Sequence, residues 1–222
     1  MTSAPKPPHH GIKAVIFDWD QTLWDSWKLH LGAIQHAASF AGQVSPSPER
    51  ILDTFGGTLE EHLVRLYGSL ERPMQGYLEF YHAQRLAMGR LFPGVAEVLA
   101  SLRAAGYRSV VLSDKVESAG LEEVAMVKLE ETFHAAVFRN GTLLAKPEPE
   151  SLLHTLDMLH VTPAEALYVG DAPWDMECAR RAGVTSVGAL WGTVDVDALM
   201  AAKPDQVWRA PHEALGLLGA RG

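Results

Sequence analysis

A single cysteine, Cys178, stands in a chain of 222 residues, so no disulfide can form within it. The fold must rest on burial, and a chain this long can bury a sizeable core without covalent staples. The lone thiol fits a reducing compartment, and a cytoplasmic location is expected. No block of basic residues occurs and the net charge is -8, which argues against nucleic acid or an anionic membrane as the main partner. No apolar run is long enough to span a bilayer, and no secretory leader pattern is visible. Repeats and low-complexity segments are also missing. The ten histidines are scattered, with no His/Cys cluster at zinc spacing, so a transition-metal site is not expected. Residues 1–9, polar and rich in proline, read as a flexible tail.

What is present is alternation. "IKAVIFD" (12–18) is nearly continuous in apolar residues, as a strand buried on both faces would be. "YRSVVLSD" (107–114), "EALYVGD" (165–171) and "VTSVGAL" (184–190) repeat that look. Helical patterns lie between them. Val95, Val98, Leu99 and Leu102 share one face ahead of Gly106, and Leu152, Leu153, Leu156 and Leu159 share another. In "APWDMECARRAG", Pro173 suits a first helical turn and Gly183 a C-terminal cap. Strands alternating with helices predict an α/β fold with a doubly wound parallel sheet. Asn140-Gly141 in "FRNGTL" predicts a small hairpin interrupting the pattern.

Residues 25–90 break the alternation and read as helical throughout. Trp27, Leu31, Ile34, Ala38 and Ala41 form a stripe that ends at Gly42. Ser47-Pro48 opens a second helix that Gly56-Gly57 closes, Thr58 and Glu61 suit a capping box, and Pro73 opens a fourth helix running to about Met88. Four helices exceed one crossover, so residues 25–90 are expected to form an inserted helical domain, with the α/β core built from 10–24 and 91–222.

The chemistry gathers where strands stop. The first expected strand ends at Asp18, the second at Ser113 and a later one at Asp171. Ligands of open parallel sheets bind outside the carboxyl ends of the strands, so these side chains should converge there. One acid at a strand end is commonly only a helix cap. Three strand ends together, with Asp20 two residues beyond Asp18, point to a site. Carboxylates sharing a crevice repel unless a cation neutralises them, and an all-oxygen donor set suits magnesium. Lys146, before Pro147, lies between the second and third of these strands and could hold an anion in the same crevice.

"DWDQT", "SDK", "KPEP" and "GDAPWD" occur in this order, with the helical segment between the first two. Together they resemble the four motifs of the haloacid dehalogenase superfamily with a helical cap, in its phosphoglycolate phosphatase-like branch. The resemblance spans residues 12 to about 219. It implies a magnesium-dependent phosphatase acting on a small phosphomonoester through an aspartyl-phosphate. Asp18 would be the nucleophile, and Asp20 would protonate the leaving oxygen and then activate water. Ser113 and Lys146 would bind the phosphoryl oxygens, and Asp114, next in the second motif, would stand at the same phosphate. The Asp18 side chain, the Asp20 carbonyl and Asp171 would ligate Mg2+. Asp175 would cap a helix and orient water or Lys146, and Thr22 would brace the loop after the nucleophile. "FGGTLEEHL" (55–63) resembles the loop by which the cap shapes substrate choice. The implied partner is a small-molecule phosphate ester, acted on by a monomer or homodimer.

Three positions depart from the family's pattern. Gln21 stands where glycine is frequent, Trp19 is bulky between the two aspartates, and Asp114 stands where asparagine usually follows the Ser or Thr of the second motif. An ionised Asp114 beside the phosphate would repel it, unless Lys115 compensates or the carboxylate turns aside to cap a helix. Two other functions stay open at this point: a sugar phosphomutase, and a non-catalytic phosphoryl-binding protein on the same fold. Asp20 speaks for phosphate chemistry over dehalogenation, because halide leaves without protonation.

Overall fold

A computed structural model describes residues 11–142 and 144–221, with side chains as far as residue 219. The expected tail at 1–9 and Leu143 lie outside the described residues. Two compact units emerge. One joins the chain up to Leu23 with Phe92 onward, and the other is Trp24–Leu91.

The first unit carries a six-stranded parallel sheet. Its strands are β1 (Ala14–Phe17), β4 (Arg108–Val116), β5 (Ala135–Arg139), β6 (Ala166–Gly170), β7 (Thr185–Ala189) and β8 (Gln206–Trp208). Their order is β5-β4-β1-β6-β7-β8, every pair parallel. All four β1 residues are buried, the reason its sequence is apolar without alternation. Helices α7 (Glu150–Met158) and α8 (Pro173–Ala182) deliver Leu152, Leu156, Cys178 and Ala179 to a core shared with Ala14, Ile16, Val110, Leu112 and Tyr168. Helix α5 (Val95–Ala104) packs beside β4 and buries Val95, Val98, Leu99 and Leu102. The Tyr107 hydroxyl donates to the Leu217 carbonyl across 2.8 Å, tying the strand entrance to the C-terminal 3-10 segment. Helices α6 (Glu117–Met126) and α9 (Val196–Ala201) complete the α-helices among the described residues of this unit.

The doubly wound sheet is therefore the one expected, with two strands more than the sequence suggested. One of them, β5, replaces the expected hairpin. "AAVFR" runs parallel to β4, and Asn140 then makes a tight turn in which its side chain accepts from the Thr142 backbone N–H. An Asn-Gly turn marks a reversal without specifying that two strands pair across it. Leu153 is a second correction. It stands 43% exposed while Leu152 and Leu156 are buried, so the apolar stripe of α7 is narrower than its leucines suggest.

The second unit contains α1 (Trp27–Ala41), α2 (Pro48–Asp53), α3 (Leu59–Tyr67) and α4 (Glu71–Met88), closed at its base by the antiparallel pair β2 (Trp24–Asp25) and β3 (Arg90–Leu91). Leu29, Ala33, Ile34, Ala37 and Ala38 bury against Ile51, Leu63, Tyr67, Tyr77 and Tyr81. The buried face of α1 is thus turned from the expected stripe, and Trp27, Leu31 and Ala41 flank it partly buried. Ser47 caps α2 by accepting from the Arg50 N–H, and α2 ends at Asp53, ahead of Gly56-Gly57. Thr58 and Glu61 form the reciprocal capping box that starts α3. Helix α4 begins two residues before Pro73.

Candidate active site

Strands β4, β1 and β6 are neighbours, so Asp18 and Asp171, directly after β1 and β6, and Ser113, three residues before the end of β4, lie toward the same carboxyl edge of the sheet; the expected end of the second strand at Ser113 is thus passed, and β4 runs on to Val116. The order reverses on either side of β1, the switch point at which open α/β sheets form crevices. Asp18, Ser113, Lys146, Asp171 and Asp175 are all buried, none more than 6% exposed.

Lys146 is the hub. Its ammonium lies 2.7 Å from Asp175 Oδ1 and 3.0 Å from Asp18 Oδ1, and 5.9 Å above the centre of the Tyr168 ring. Burial opposes its charge, but Asp175, Asp18, Tyr168 and Asp114 outweigh it and push its pKa well above the usual lysine value. Asp175 is fully committed. Its Oδ1 also accepts from the Tyr168 hydroxyl at 3.1 Å, and its Oδ2 accepts from the Ala172 N–H at 3.1 Å. It thereby caps α8 while gripping Lys146. Gly170 makes room for this: a Cβ there would meet the Asp175 side chain at 2.5 Å. The Thr22 hydroxyl donates to Asp171 Oδ1 at 2.9 Å and ties the loop after β1 to the end of β6.

Carboxyl groups outnumber ammonium groups in this cluster. Carboxylate oxygens of Asp18, Asp171 and Asp175 all lie within 4.8 Å of one another. Burial pushes the Asp18 carboxyl up to about 7, with Lys146 pulling the other way. Burial, then the charges of Asp175 and Asp18, hold Asp171 well above the usual carboxylate range. Asp18 Oδ1 is buried and receives no aligned hydrogen bond, although the Lys146 ammonium stands near it. Buried carboxylates that are costly to ionise, one with an oxygen not satisfied by hydrogen bonding, fit a hard divalent cation. Because both Asp175 oxygens are already engaged, Asp18 and Asp171 are the side chains best placed to ligate it.

Asp114 does not face the site as the sequence suggested. Its carboxylate accepts from the backbone N–H of Lys146, at 3.0 and 3.3 Å, and its carbonyl accepts from Arg139 Nε. It turns aside, as one alternative allowed, but onto the Lys146 loop and not onto the end of α6, whose N-cap is Val116 with no side-chain cap. Gln21 adopts a left-handed backbone with φ 60, which explains why glycine suits that position. Asp20 is partly exposed, and both its carboxylate oxygens lie 3.0 Å from Lys115 Nζ, a contact the sequence did not reveal.

The sequence model described as "Haloacid dehalogenase-like hydrolase" matches residues 15–189. The chain belongs to the haloacid dehalogenase-like hydrolase family and is an enzyme of that class. It is 26% identical over 209 residues to a phosphoglycolate phosphatase of Aquifex aeolicus, covering 93% of this chain and 97% of the relative. It is 27% identical over 210 residues to the pyrophosphatase PpaX of Bacillus pumilus, covering 94% and 97%. The crystal structure of a predicted phosphoglycolate phosphatase from Haemophilus somnus superposes with a TM-score of 0.85 at 21% identity, covering 94% of this chain and 98% of that one, a likeness of fold.

Proposed function

We propose that this protein is a magnesium-dependent phosphatase that hydrolyses a small phosphomonoester, phosphoglycolate-like or sugar-phosphate-like, through an aspartyl-phosphate on Asp18. The observation that carries the reading is the buried group of Asp18, Asp171 and Asp175 around the single ammonium of Lys146, at the switch point of the sheet. The names of the relatives, phosphoglycolate phosphatase and pyrophosphatase, support phosphate as the group transferred.

In this reading an Asp18 oxygen attacks phosphorus as the bond to the leaving oxygen breaks, and Asp20 gives that oxygen its proton. Water then attacks the phosphorus of the acyl phosphate, Asp20 takes the proton, inorganic phosphate leaves and Asp18 is free again. Lys146 offsets charge on the phosphoryl oxygens and orients Asp18, its ammonium fixed by Asp175, which the Tyr168 hydroxyl holds in turn. Ser113 donates a hydrogen bond to the same oxygens. Thr22 holds Asp171 and keeps the loop carrying Asp20 close to β6. Magnesium, held by Asp18, Asp171 and the Asp20 carbonyl, would supply charge neutralisation at the transferring group. The helical unit would serve as the cap that selects the substrate.

Phosphate release from a panel of esters, with magnesium and with EDTA, tests this. Release that requires the metal agrees with the reading. Conversion of one sugar phosphate to its isomer without net release would make the enzyme a mutase, and no turnover by a folded protein would make it a binder.

A further inference from the structure

Lys115 sits outside the constellation above, yet its ammonium touches the Asp20 carboxylate. It lies 3.0 Å from both Asp20 oxygens and 3.1 Å from Glu123 Oε2. Glu123, on α6, is 0% exposed, and the same Oε2 accepts from the Trp19 indole N–H at 2.7 Å. A carboxylate buried so deeply is costly unless its charge is matched and its oxygens are hydrogen-bonded; Lys115 supplies the opposite charge and Trp19 a hydrogen bond.

Local structure explains how these groups meet. The pairing of β4 with β5 shifts between Ser113 and Val116, so Asp114 and Lys115 fall in an irregular stretch that re-aims their side chains. Asp114 turns to the Lys146 loop and Lys115 to Asp20. Helix α6 can lie close against β5 because Gly120 faces Phe138, where a Cβ would come within 2.4 Å of the ring. Phe138 in turn meets Trp19 edge to face, with centroids 6.4 Å apart. Packing therefore fixes Glu123, Glu123 fixes Lys115, and Lys115 reaches both oxygens of Asp20.

We propose that Lys115, anchored by Glu123, is a positioning residue that holds the Asp20 carboxylate in the orientation from which it exchanges a proton with the leaving oxygen and then with water. The inference rests on the phosphatase reading given above. Charge decides against the competing idea that Lys115 binds substrate phosphate: one ammonium already faces two carboxylates. Orientation matters because Asp20 follows the strand on an irregular loop with its side chain 35% exposed, and a misplacement of about 1 Å costs on the order of a hundredfold in rate.

The test compares kcat/KM for an alkyl phosphate and for p-nitrophenyl phosphate, whose leaving group departs without a proton. Lys115→Met removes the ammonium from the buried Glu123 carboxylate, so the double variant Lys115→Met/Glu123→Gln is measured beside it, with thermal melts for both. In the folded double variant, kcat/KM on the alkyl ester falls by about tenfold or more and on the nitrophenyl ester by less than about threefold, and Lys115→Arg restores part of the loss. Equal losses on the two esters, or changes within about twofold on both, overturn the proposal. A crystal structure of the double variant reads the geometry directly, and an Asp20 carboxylate that has not moved also overturns it. A wild type without metal-dependent release would overturn the phosphatase reading instead, and that structural readout would still decide whether Lys115 positions Asp20.

Discussion

His62 should make the helical unit sensitive to acid, by an amount the structure lets one work out. Its ring is 2% exposed, stacked on His30 with centroids 5.6 Å apart. Nε2 lies 3.2 Å from the Ile51 carbonyl, which can only accept, so Nε2 carries the proton and Nδ1 is bare. Nδ1 is buried with no hydrogen-bond partner, and a second proton there would have no acceptor. Burial first, then the nearby charge of Arg65, lowers the pKa from 6.5 to about 4, opposed by the Ile51 carbonyl. Between those values the unfolded chain binds the proton and the folded chain does not, so stability falls as pH drops from about 6.5 to about 4 and levels off below. The full span corresponds to about 3 kcal/mol, of which about 2 kcal/mol is lost between pH 7 and about 4.5. His62→Gln keeps a donor for the Ile51 carbonyl and cannot titrate. Urea unfolding followed by far-UV circular dichroism at the two pH values gives the comparison. The wild type should lose about 2 kcal/mol more than His62→Gln over that interval. Equal losses in the two proteins would refute the argument, because other titrating groups are common to both.

Two further outcomes follow from close contacts near the site. A Cβ on Gly192 would fall 1.6 Å from the Gln21 carbonyl oxygen, and backbone cannot yield as a side-chain tip can, so Gly192→Ala should cost about 3 kcal/mol in a thermal melt and lower phosphate release by shifting the loop that carries Asp20. Gly216→Ala, with nothing within 4 Å of the new Cβ, serves as the neutral control. Asp114→Asn keeps an oxygen that can accept from the Lys146 N–H, so kcat/KM should change by less than about threefold; a rise of about tenfold or more would mean that the carboxylate repels substrate after all.

Much of the core was legible because its strands are buried on both faces, which writes an unbroken apolar run into the sequence. The site was legible for a related reason: Asp18, Ser113 and Asp171 interrupt or end those runs, and parallel strands bring their ends together. Strand β5 escaped because an edge strand with mostly half-buried residues carries no such run, and the Asn140-Gly141 turn beside it suggested a reversal. The exposure of Leu153 depends on how wide a strip of α7 the sheet covers, which spacing alone does not record. The fate of Asp114 and Lys115 depends on the irregular pairing of β4 with β5, a tertiary property. Lys115 and Glu123 are eight residues apart across a strand-to-helix turn, and although Lys115 closes the "SDK" motif, nothing in the sequence pairs it with Glu123 or with Asp20.

The central claim is that the phosphoryl group passes through Asp18. Wild type and Asp20→Ala, the latter to slow hydrolysis of the intermediate, are mixed with magnesium and p-nitrophenyl phosphate, quenched in acid, weighed intact and mapped by peptide. The account predicts a protein heavier by one phosphoryl group, the group on Asp18, accumulating more in Asp20→Ala and not formed by Asp18→Asn. Phosphate release by a protein that never carries the group, or a phosphoryl group found on any other residue, would contradict it.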